Sequence, residues 1–211
     1  MNAAPATSAL LERIRPMKHS ASILTVPTDF DLIARIAKGD TAALESLFDR
    51  HRNVAFQVAY RLLGNEADAL DAVQDGFLNA LQNLEKFRGQ SSFKTWLLRV
   101  VSNASLDLGR GRRRRESRAE LMAGEGLHET EDYRGGEVDS ALERIDLRKQ
   151  LDTALAELPE PQRQTFVLHA VGELSYQEVA EALGVAIGTV MSRLFYARQK
   201  LKTLLAPCVS A

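Results

Sequence analysis

Apolar residues recur at helical spacing along almost the whole chain. In the N-terminal part the pattern predicts a short helix over Asp29–Ala37, which Gly39 ends, and then three longer amphipathic helices. Because the connections are short, the apolar faces of the long helices must be buried against one another, which predicts a helical bundle. Their apolar positions are Leu44, Leu47, Phe48, Val54, Ala55, Val58 and Leu62; Leu70, Val73, Phe77, Leu81 and Leu84; and Phe93, Trp96, Leu97, Val100, Val101, Ala104 and Leu108.

A second set of helices is predicted in the C-terminal part. The apolar spacing predicts a helix from Leu142 that stops at Pro159, another that ends near Gly172, and two more over Ser175–Leu183 and from Ile187 to about residue 204. Strand signals are nearly absent. The sequence therefore predicts an all-α protein with two small helical domains.

Charge and glycine content separate the two predicted domains. Residues 110–118 hold six arginines and one glutamate, and residues 120–146 hold nine carboxylates and two arginines. With so few apolar residues there, we predict a flexible acidic linker over 117–141 between domains at 28–116 and 142–206. Residues 1–27 lack the pattern of a signal peptide and are expected to be a disordered leader, within which Met17 is an alternative start.

Composition narrows the range of possible chemistry. The single cysteine, Cys208, excludes a disulfide framework or a multi-cysteine zinc site within one chain. The four histidines, His19, His51, His128 and His169, are scattered along the sequence, and His51 lies in a helix stripe where packing is the simpler explanation. We expect no catalytic residue, no metal, no cofactor and no small-molecule substrate, and a cytoplasmic protein with no membrane segment of its own.

The strongest local pattern lies at residues 176–195. Ser175 and Glu178 form a capping box, Ala180 is small where two helices cross, and Gly184 permits a tight reversal. This combination is typical of a DNA-binding helix-turn-helix, and the alternative is an ordinary helical hairpin with a solvated basic face. The outward side chains expected to meet DNA are Thr189, Met191, Ser192, Arg193, Tyr196, Arg198 and Lys200.

Two stretches together resemble a known family, the extracytoplasmic-function (ECF) sigma factors. Leu158-Pro159, Leu174-Ser175-Tyr176, Glu178-Val179-Ala180, Gly188-Thr189-Val190 and Ser192-Arg193 resemble region 4 of that family. The sequence DAVQDGFL, the loop Phe87-Arg88-Gly89 and the run Thr95-Trp96-Leu97 resemble region 2. The two motifs occur in the order that the family has, separated by a linker, which makes the pair far more specific than either motif alone.

The resemblance implies partners and site residues. Region 2 would bind the β′ clamp helices of core RNA polymerase, region 4 would read the −35 promoter element beside the β flap, and an anti-sigma factor would hold the protein inactive. The implied polymerase contacts are Asp71, Gln74, Asp75 and Phe77. The implied −10 contacts are Phe87, Arg88, Gly89, Gln90, Ser91, Ser92, Lys94, Arg99, Asn103, Arg112 and Arg113. Phe93 and Trp96 lie on the apolar stripe, so we expect them to pack in the core.

The sequence departs from the family pattern in the predicted recognition helix. Met191 and Tyr196 occupy positions where the family often has basic residues, so the usual −35 sequence is not assumed. Met191 either contacts a thymine methyl group or is merely exposed. The acidic linker similarly has two interpretations, a nucleic-acid mimic in a basic channel or a solubilising tether.

Three other classes compete with a sigma factor. An enzyme would be expected to carry a phosphate-binding glycine loop or a metal-ligand motif, and neither is present in the sequence. A free-standing regulator would explain the helix-turn-helix but not DAVQDGFL, and it would bind duplex DNA without polymerase. A purely structural helical protein would not bind nucleic acid at all.

Overall fold

The computed structural model describes residues 26–84, 87, 89–123 and 139–209. All the regular structure in these residues is helical, which confirms the predicted all-α class. Side chains are described for all of these residues except 120–123, 139–147 and 207–209. The described residues contain eight helices, which are α1 Asp29–Ile36, α2 Thr41–Leu63, α3 Glu66–Gln82, α4 Phe93–Ala123, α5 Asp139–Ala156, α6 Glu160–Ala170, α7 Tyr176–Leu183 and α8 Ile187–Val209.

Helices α1 to α4, the N-terminal half, form the predicted bundle. Leu32, Val58 and Leu97 from three of its helices are fully buried in a common core. Helices α3 and α4 cross closely at Gly76, where a Cβ atom would lie 2.6 Å from Val101 Cγ2 and 3.2 Å from Val101 Cα. The glycine in the DAVQDGFL motif is therefore required by helix packing.

Helices α5 to α8, the C-terminal half, contain the helix-turn-helix. The predicted capping box begins α7: Glu178 N donates to Ser175 Oγ, and Ser175 N donates to Glu178 Oε2 at 2.9 Å. Helix α7 ends at Gly184, whose φ of 63° is left-handed as the turn requires. The inner face of α8 is buried and consists of Val190, Leu194, Ala197 and Leu201.

The two halves pack against each other, an arrangement that the sequence did not predict. Thr95 Oγ1, near the start of α4, donates to Glu178 Oε1 at 3.0 Å. The buried Gln164 of α6 donates from Nε2 to Ser102 Oγ and to Asn103 Oδ1, each at 3.3 Å. Leu98 is fully buried close to the loop after α6. Helix α4 therefore belongs to the interior of both halves.

Some predicted boundaries and exposures differ from the structure. Helix α4 continues to Ala123, past the predicted domain boundary at residue 116, and α5 begins at Asp139 inside the predicted linker. Leu70, assigned to the apolar stripe of α3, is 54% exposed because it lies on the outer face of the helix. Linker residues 124–138 and leader residues 1–25 lie outside the described residues.

One hydropathy feature bears on membrane association. None of the described helices is by itself long and apolar enough to cross a bilayer. The consecutive helices α7 and α8 (to Ala206) are long and apolar enough only when they are taken together, and the chain bends by 106° between them. That bend is the turn of the helix-turn-helix.

A pair of glycine substitutions tests the crossing of α3 and α4. Gly76→Ala should lower the free energy of unfolding by about 1–3 kcal/mol, because the added methyl group overlaps stiff Val101 and its backbone. Gly111→Ala in α4 has no heavy atom within 4 Å of the added Cβ and should raise it by about 1 kcal/mol through helix propensity. Urea denaturation of both variants checks this, and an equal response to the two changes would contradict the close crossing.

The capping box of α7 predicts a pH dependence of stability. The backbone N–H of Ser175 lowers the pKa of Glu178 from its ordinary value of 4.5. A depressed folded-state pKa contributes stability that is fully present above 4.5 and is lost as the pH falls through the lower folded value. In Glu178→Gln, stability at neutral pH should drop and its acid dependence should flatten. Urea midpoints at neutral and acid pH measure this, with Glu181→Gln on the same helix as a control that keeps the wild-type slope.

Candidate polymerase and nucleic-acid interfaces

The outer face of α3 carries three of the four predicted polymerase contacts. Asp71, Gln74 and Asp75 are exposed on adjacent turns of the helix, as the sequence predicted. Phe77 differs, since it is only 6% exposed and its ring centroid lies 4.7 Å from that of Phe48. The hydrophobic phase of α3 directs Phe77 inward, so it supports the helix and does not present a contact surface.

Two exposed leucines on α3 were missed by the sequence analysis. Leu70 is 54% exposed and Leu78 is 49% exposed, and they are spaced one helical turn on either side of Gln74. The exposure of Leu78 could have been predicted from the sequence, because the helical period places it outside the buried stripe of α3. An acidic stripe flanked by exposed leucines is suited to a protein partner that is both basic and apolar.

The loop before α4 is held in place by aromatic packing. The ring of Phe87 lies 5.4 Å from Trp96 and 5.9 Å from Phe93, centroid to centroid. Phe93 is 4% exposed and Trp96 is partly buried, which confirms that they pack in the core. The predicted −10 contact Phe87 is therefore partly buried, because it belongs to this aromatic cluster.

The rest of this loop is polar and largely accessible. Ser92 caps α4, accepting a hydrogen bond at Oγ from Thr95 N at 3.0 Å. Gly89 has a left-handed φ of 67°, and Gln90 is exposed beside it, while Ser91 is half-buried. Arg88 lies outside the described residues. The tip of the loop thus presents polar groups on a rigid base.

Some basic residues of α4 contact the N-terminal half, and others contact the C-terminal half. The guanidinium of Arg112 contacts the carboxylate of Asp68 and donates to the Leu63 carbonyl at 3.4 Å, so Arg112 joins α4 to the end of α2 and the start of α3. These bonds engage Arg112 within the N-terminal half, and its −10 contact stays a prediction. Arg113 lies 3.5 Å from Glu160 across the two halves, and Lys94 lies 3.3 Å from Glu173.

A cleft of about 280 Å³ separates α4 from the C-terminal half. Arg99, Asn103 and Arg110 line it from α4, while Gln164 and Arg193 line it from α6 and α8. The sequence analysis assigned Arg99 and Asn103 to the −10 element and Arg193 to the −35 element, and the structure brings members of both sets to one cleft.

The solvent-facing side of α8 is more apolar than its sequence pattern suggested. Met191 is 54% exposed and Tyr196 is 60% exposed, and Ser192 is exposed between them. Phe195, which the sequence analysis missed, is 57% exposed with its ring 5.4 Å from that of Tyr196. The exposure of Phe195 could have been predicted from the sequence, because Phe195 lies five residues after the inward-facing Val190 and so falls outside the buried face of α8. This face offers an amphipathic surface with little charge.

The remaining predicted −35 residues are partly engaged within the C-terminal half. Thr189 and Arg193 are half-buried. Arg198 Nη1 donates to the Tyr176 hydroxyl at 3.3 Å, and Lys200 Nζ donates to the backbone carbonyl of Glu157. Both basic side chains thus brace the recognition helix against its own domain.

The described residues show no cluster suited to a metal ion, since no three His, Cys, Asp or Glu side chains among them converge. His51 instead pairs with Asp29, Nε2 to Oδ2 at 2.8 Å, and packs with its ring 5.4 Å from that of Phe93. Burial lowers the pKa of His51, in keeping with a packed, neutral imidazole.

Family models match both halves of the chain. The model for sigma-70 region 2 matches residues 47–115, and the model for sigma-70 region 4 matches residues 148–201. The two matched ranges contain α3, most of α4 and the whole of α6 and α7.

Sequence relatives extend the likeness over most of the chain. The ECF RNA polymerase sigma-E factor of Haemophilus influenzae is 31% identical over 188 residues, covering 85% of this chain and 96% of the relative. The ECF sigma factor SigW of Bacillus subtilis is 30% identical, covering 81% and 92%, and the sigma-H factor of Pseudomonas aeruginosa is 31% identical, covering 88% and 97%.

Two solved structures have the same overall arrangement of helices. CnrH in complex with the cytosolic domain of CnrY has a TM-score of 0.64 at 29% identity, covering 86% of this chain and 99% of CnrH. RpoE in complex with the anti-sigma factor NepR from Bartonella quintana has a TM-score of 0.59 at 25% identity, covering 77% and 96%. With both region models matched in order and relatives similar along nearly their full lengths, the chain belongs to the ECF sigma factors of RNA polymerase.

Proposed function

We propose that this protein binds core RNA polymerase and directs it to promoters that carry −10 and −35 elements. The observation that carries the proposal is the presence of both sigma regions, in order, in one chain that its relatives match along most of its length. The role is one of binding and positioning, with the chemistry of RNA synthesis belonging to the polymerase. Such a protein acts where RNA polymerase acts, in the cytoplasm.

The polymerase-binding surface is proposed to be the outer face of α3. Asp71, Gln74 and Asp75 supply charge and hydrogen bonds to a basic helix of the β′ clamp, while Leu70 and Leu78 supply apolar contact. Phe77 acts from inside by fixing the position of α3. The domain that carries this surface is proposed to span residues 28–116.

Promoter recognition is divided between the two halves. The polar tip of the loop at Gly89–Ser92 is proposed to bind an unstacked base of the −10 element, with Lys94 and Arg99 contacting phosphates. In residues 142–206, the exposed face of α8 is proposed to read the −35 element through Met191, Ser192 and Tyr196. Phe195 joins this face because of its exposure, and Arg193 joins it once the two halves separate.

An inhibitory protein is proposed as the second partner. The two structural relatives were solved with the cytosolic domain of CnrY and with the anti-sigma factor NepR. This chain is 25–29% identical to them and has the same arrangement of helices. Exposed Ile187, Met191 and Phe195 follow one another at four-residue spacing on α8 and form an apolar surface that an inhibitor would cover.

Transcription in vitro tests the proposal. Purified protein added to core polymerase on a library of genomic fragments should produce discrete new start sites that share upstream elements. Asp75→Arg should abolish those starts while it leaves helix content unchanged, because it reverses the charge of an exposed contact. Glu45→Arg, at an exposed acid on α2, should leave them intact. No new starts, together with tight duplex binding by the protein alone, would establish a free-standing regulator instead.

The apolar face of α8 predicts how the −35 element is read. If Met191 contacts a thymine methyl group, replacing that thymine by uracil should weaken transcription by about fourfold, since one buried methyl group is worth about 0.8 kcal/mol. The penalty should vanish in Met191→Ala and remain in Gln199→Ala, a control at an exposed position farther along α8. Scanning uracil through the −35 elements found above measures this. A uracil penalty that persists in Met191→Ala would contradict the contact.

A further inference from the structure

One aromatic side chain of α1 lies at the surface of the N-terminal half. Phe30 is 69% exposed, although the same helix buries Leu32 completely and packs Ile33 and Ile36 against the core. The helical period therefore places Phe30 on the outer side of α1, away from the apolar side that holds the helix in the bundle. An aromatic ring usually stabilises a protein through its burial. Most of the ring of Phe30 is instead available to a ligand.

The ring of Phe30 lies beside the loop that was assigned to the −10 element. A Cβ atom on Gly89 would lie 3.7 Å from Phe30 Cε2, which is van der Waals contact. Because Gly89 has no side chain, the loop reaches the edge of the ring and leaves most of the ring exposed. Phe30 precedes residues 47–115, which match the model for region 2, and it belongs to none of the motifs that the sequence analysis identified.

Bonds between α1 and α2 fix the position of this ring. Arg50 Nη1 donates to Asp29 Oδ1 at 2.6 Å, and Arg50 Nη2 donates to the Pro27 carbonyl at 2.8 Å. His51 Nε2 lies 2.8 Å from the other carboxylate oxygen of Asp29. The first turn of α1 is thereby held on both sides of the peptide that leads into Phe30. A ring that is already held in place loses little conformational entropy when a ligand stacks on it.

The loop beside Phe30 indicates the chemistry of the ligand. Its tip is proposed to bind a base that has left the stack, and removal of that base leaves the neighbouring base with one face uncovered. An aromatic side chain can cover such a face, because every base has a π surface. Lys94 follows Phe93 at the start of α4, and the ring of Phe93 packs 5.4 Å from that of His51, so a cation is present at the same end of the bundle. Single-stranded nucleic acid is bound by this combination of stacking and positive charge.

We infer that Phe30 stacks on an unpaired promoter base next to the one that the loop binds, so that α1 extends the −10 interface beyond region 2. The contact recognises the π surface of a base in single-stranded DNA and favours the open promoter over the duplex. This inference rests on the proposed function, because the strand that Phe30 binds is a promoter strand opened by polymerase.

The test measures binding of single-stranded DNA by the holoenzyme, reconstituted from core polymerase and the full chain. The probe is a fluorescein-labelled oligonucleotide with the nontemplate-strand sequence of a −10 element from the start sites described above, and binding is followed by anisotropy. Phe30→Leu keeps an apolar side chain and helix propensity but should weaken binding about tenfold, as expected when one base loses its stacking partner. Phe30→Tyr keeps the ring and should bind as the wild type does. Phe56→Leu makes the same change on α2, where Phe56 packs against Tyr60, and should also bind as the wild type does.

Abasic sites in the probe identify the base that Phe30 contacts. At one position, next to that of the base bound by the loop, an abasic site should weaken binding about tenfold in the wild type and in Phe30→Tyr. The same abasic site should cause no further loss in Phe30→Leu, because the stacking contact is already absent. A residue that only supports the loop would lack such a position-specific coupling.

Several outcomes would overturn the inference. Wild-type affinity in Phe30→Leu would show that the ring contacts no base, and an equal loss in Phe30→Tyr would show that stacking is not the cause. Abasic penalties that are the same in the wild type and in Phe30→Leu at every position would assign Phe30 to loop support or to a protein partner. If Phe30→Leu alters helix content by circular dichroism, Phe30→Met is judged by the same coupling. An absence of start sites with the wild-type protein would refute the proposed function and the inference together, whereas start sites with uncoupled abasic penalties would refute the inference alone.

Discussion

Burial of helix α4 on two sides is the constraint on which the rest of the structure depends. Its residues Leu97 and Val101 pack into the bundle of the N-terminal half, while Leu98 and Ser102 are covered by the C-terminal half. A helix buried on both sides has only a narrow strip left for charged groups, and Arg99, Asn103 and Arg110 lie on that strip. The strip that takes part in domain packing therefore also carries residues proposed to bind nucleic acid.

This double use explains why the polar contacts between the halves resemble contacts with nucleic acid. Thr95, Asn103 and Arg110 hydrogen-bond to carboxylate and carboxamide groups of the other half. Partly exposed ion pairs contribute only about 0–1 kcal/mol each and are screened by salt. Such contacts make the interface specific in its geometry and add little to the free energy that separation of the halves would cost.

The sequence alone predicted the features that depend on interactions between residues close together in the chain. The left-handed glycines at 39 and 184 and the capping box at Ser175 all depend on residues a few positions apart. It failed where the answer depends on tertiary packing, since Leu70 fits the helical period yet faces outward. The contacts between Thr95 and Glu178 and between Asn103 and Gln164 join residues 83 and 61 positions apart, and no periodicity encodes such pairs.

The position of α3 gives the proposed binding events an order. Its outer face, with Asp71, Gln74 and Asp75, is exposed while the halves are packed together, so polymerase can bind it before they separate. Helix α3 is joined to α4 by the tight crossing at Gly76 and Val101, which leaves little freedom for one helix to move without the other. A partner that binds α3 therefore also fixes the position of α4. If that partner moves the C-terminal half away from α4, the weak ionic contacts across the cleft oppose the separation. Polymerase binding followed by exposure of the nucleic-acid face is the sequence of events that these packing strengths favour.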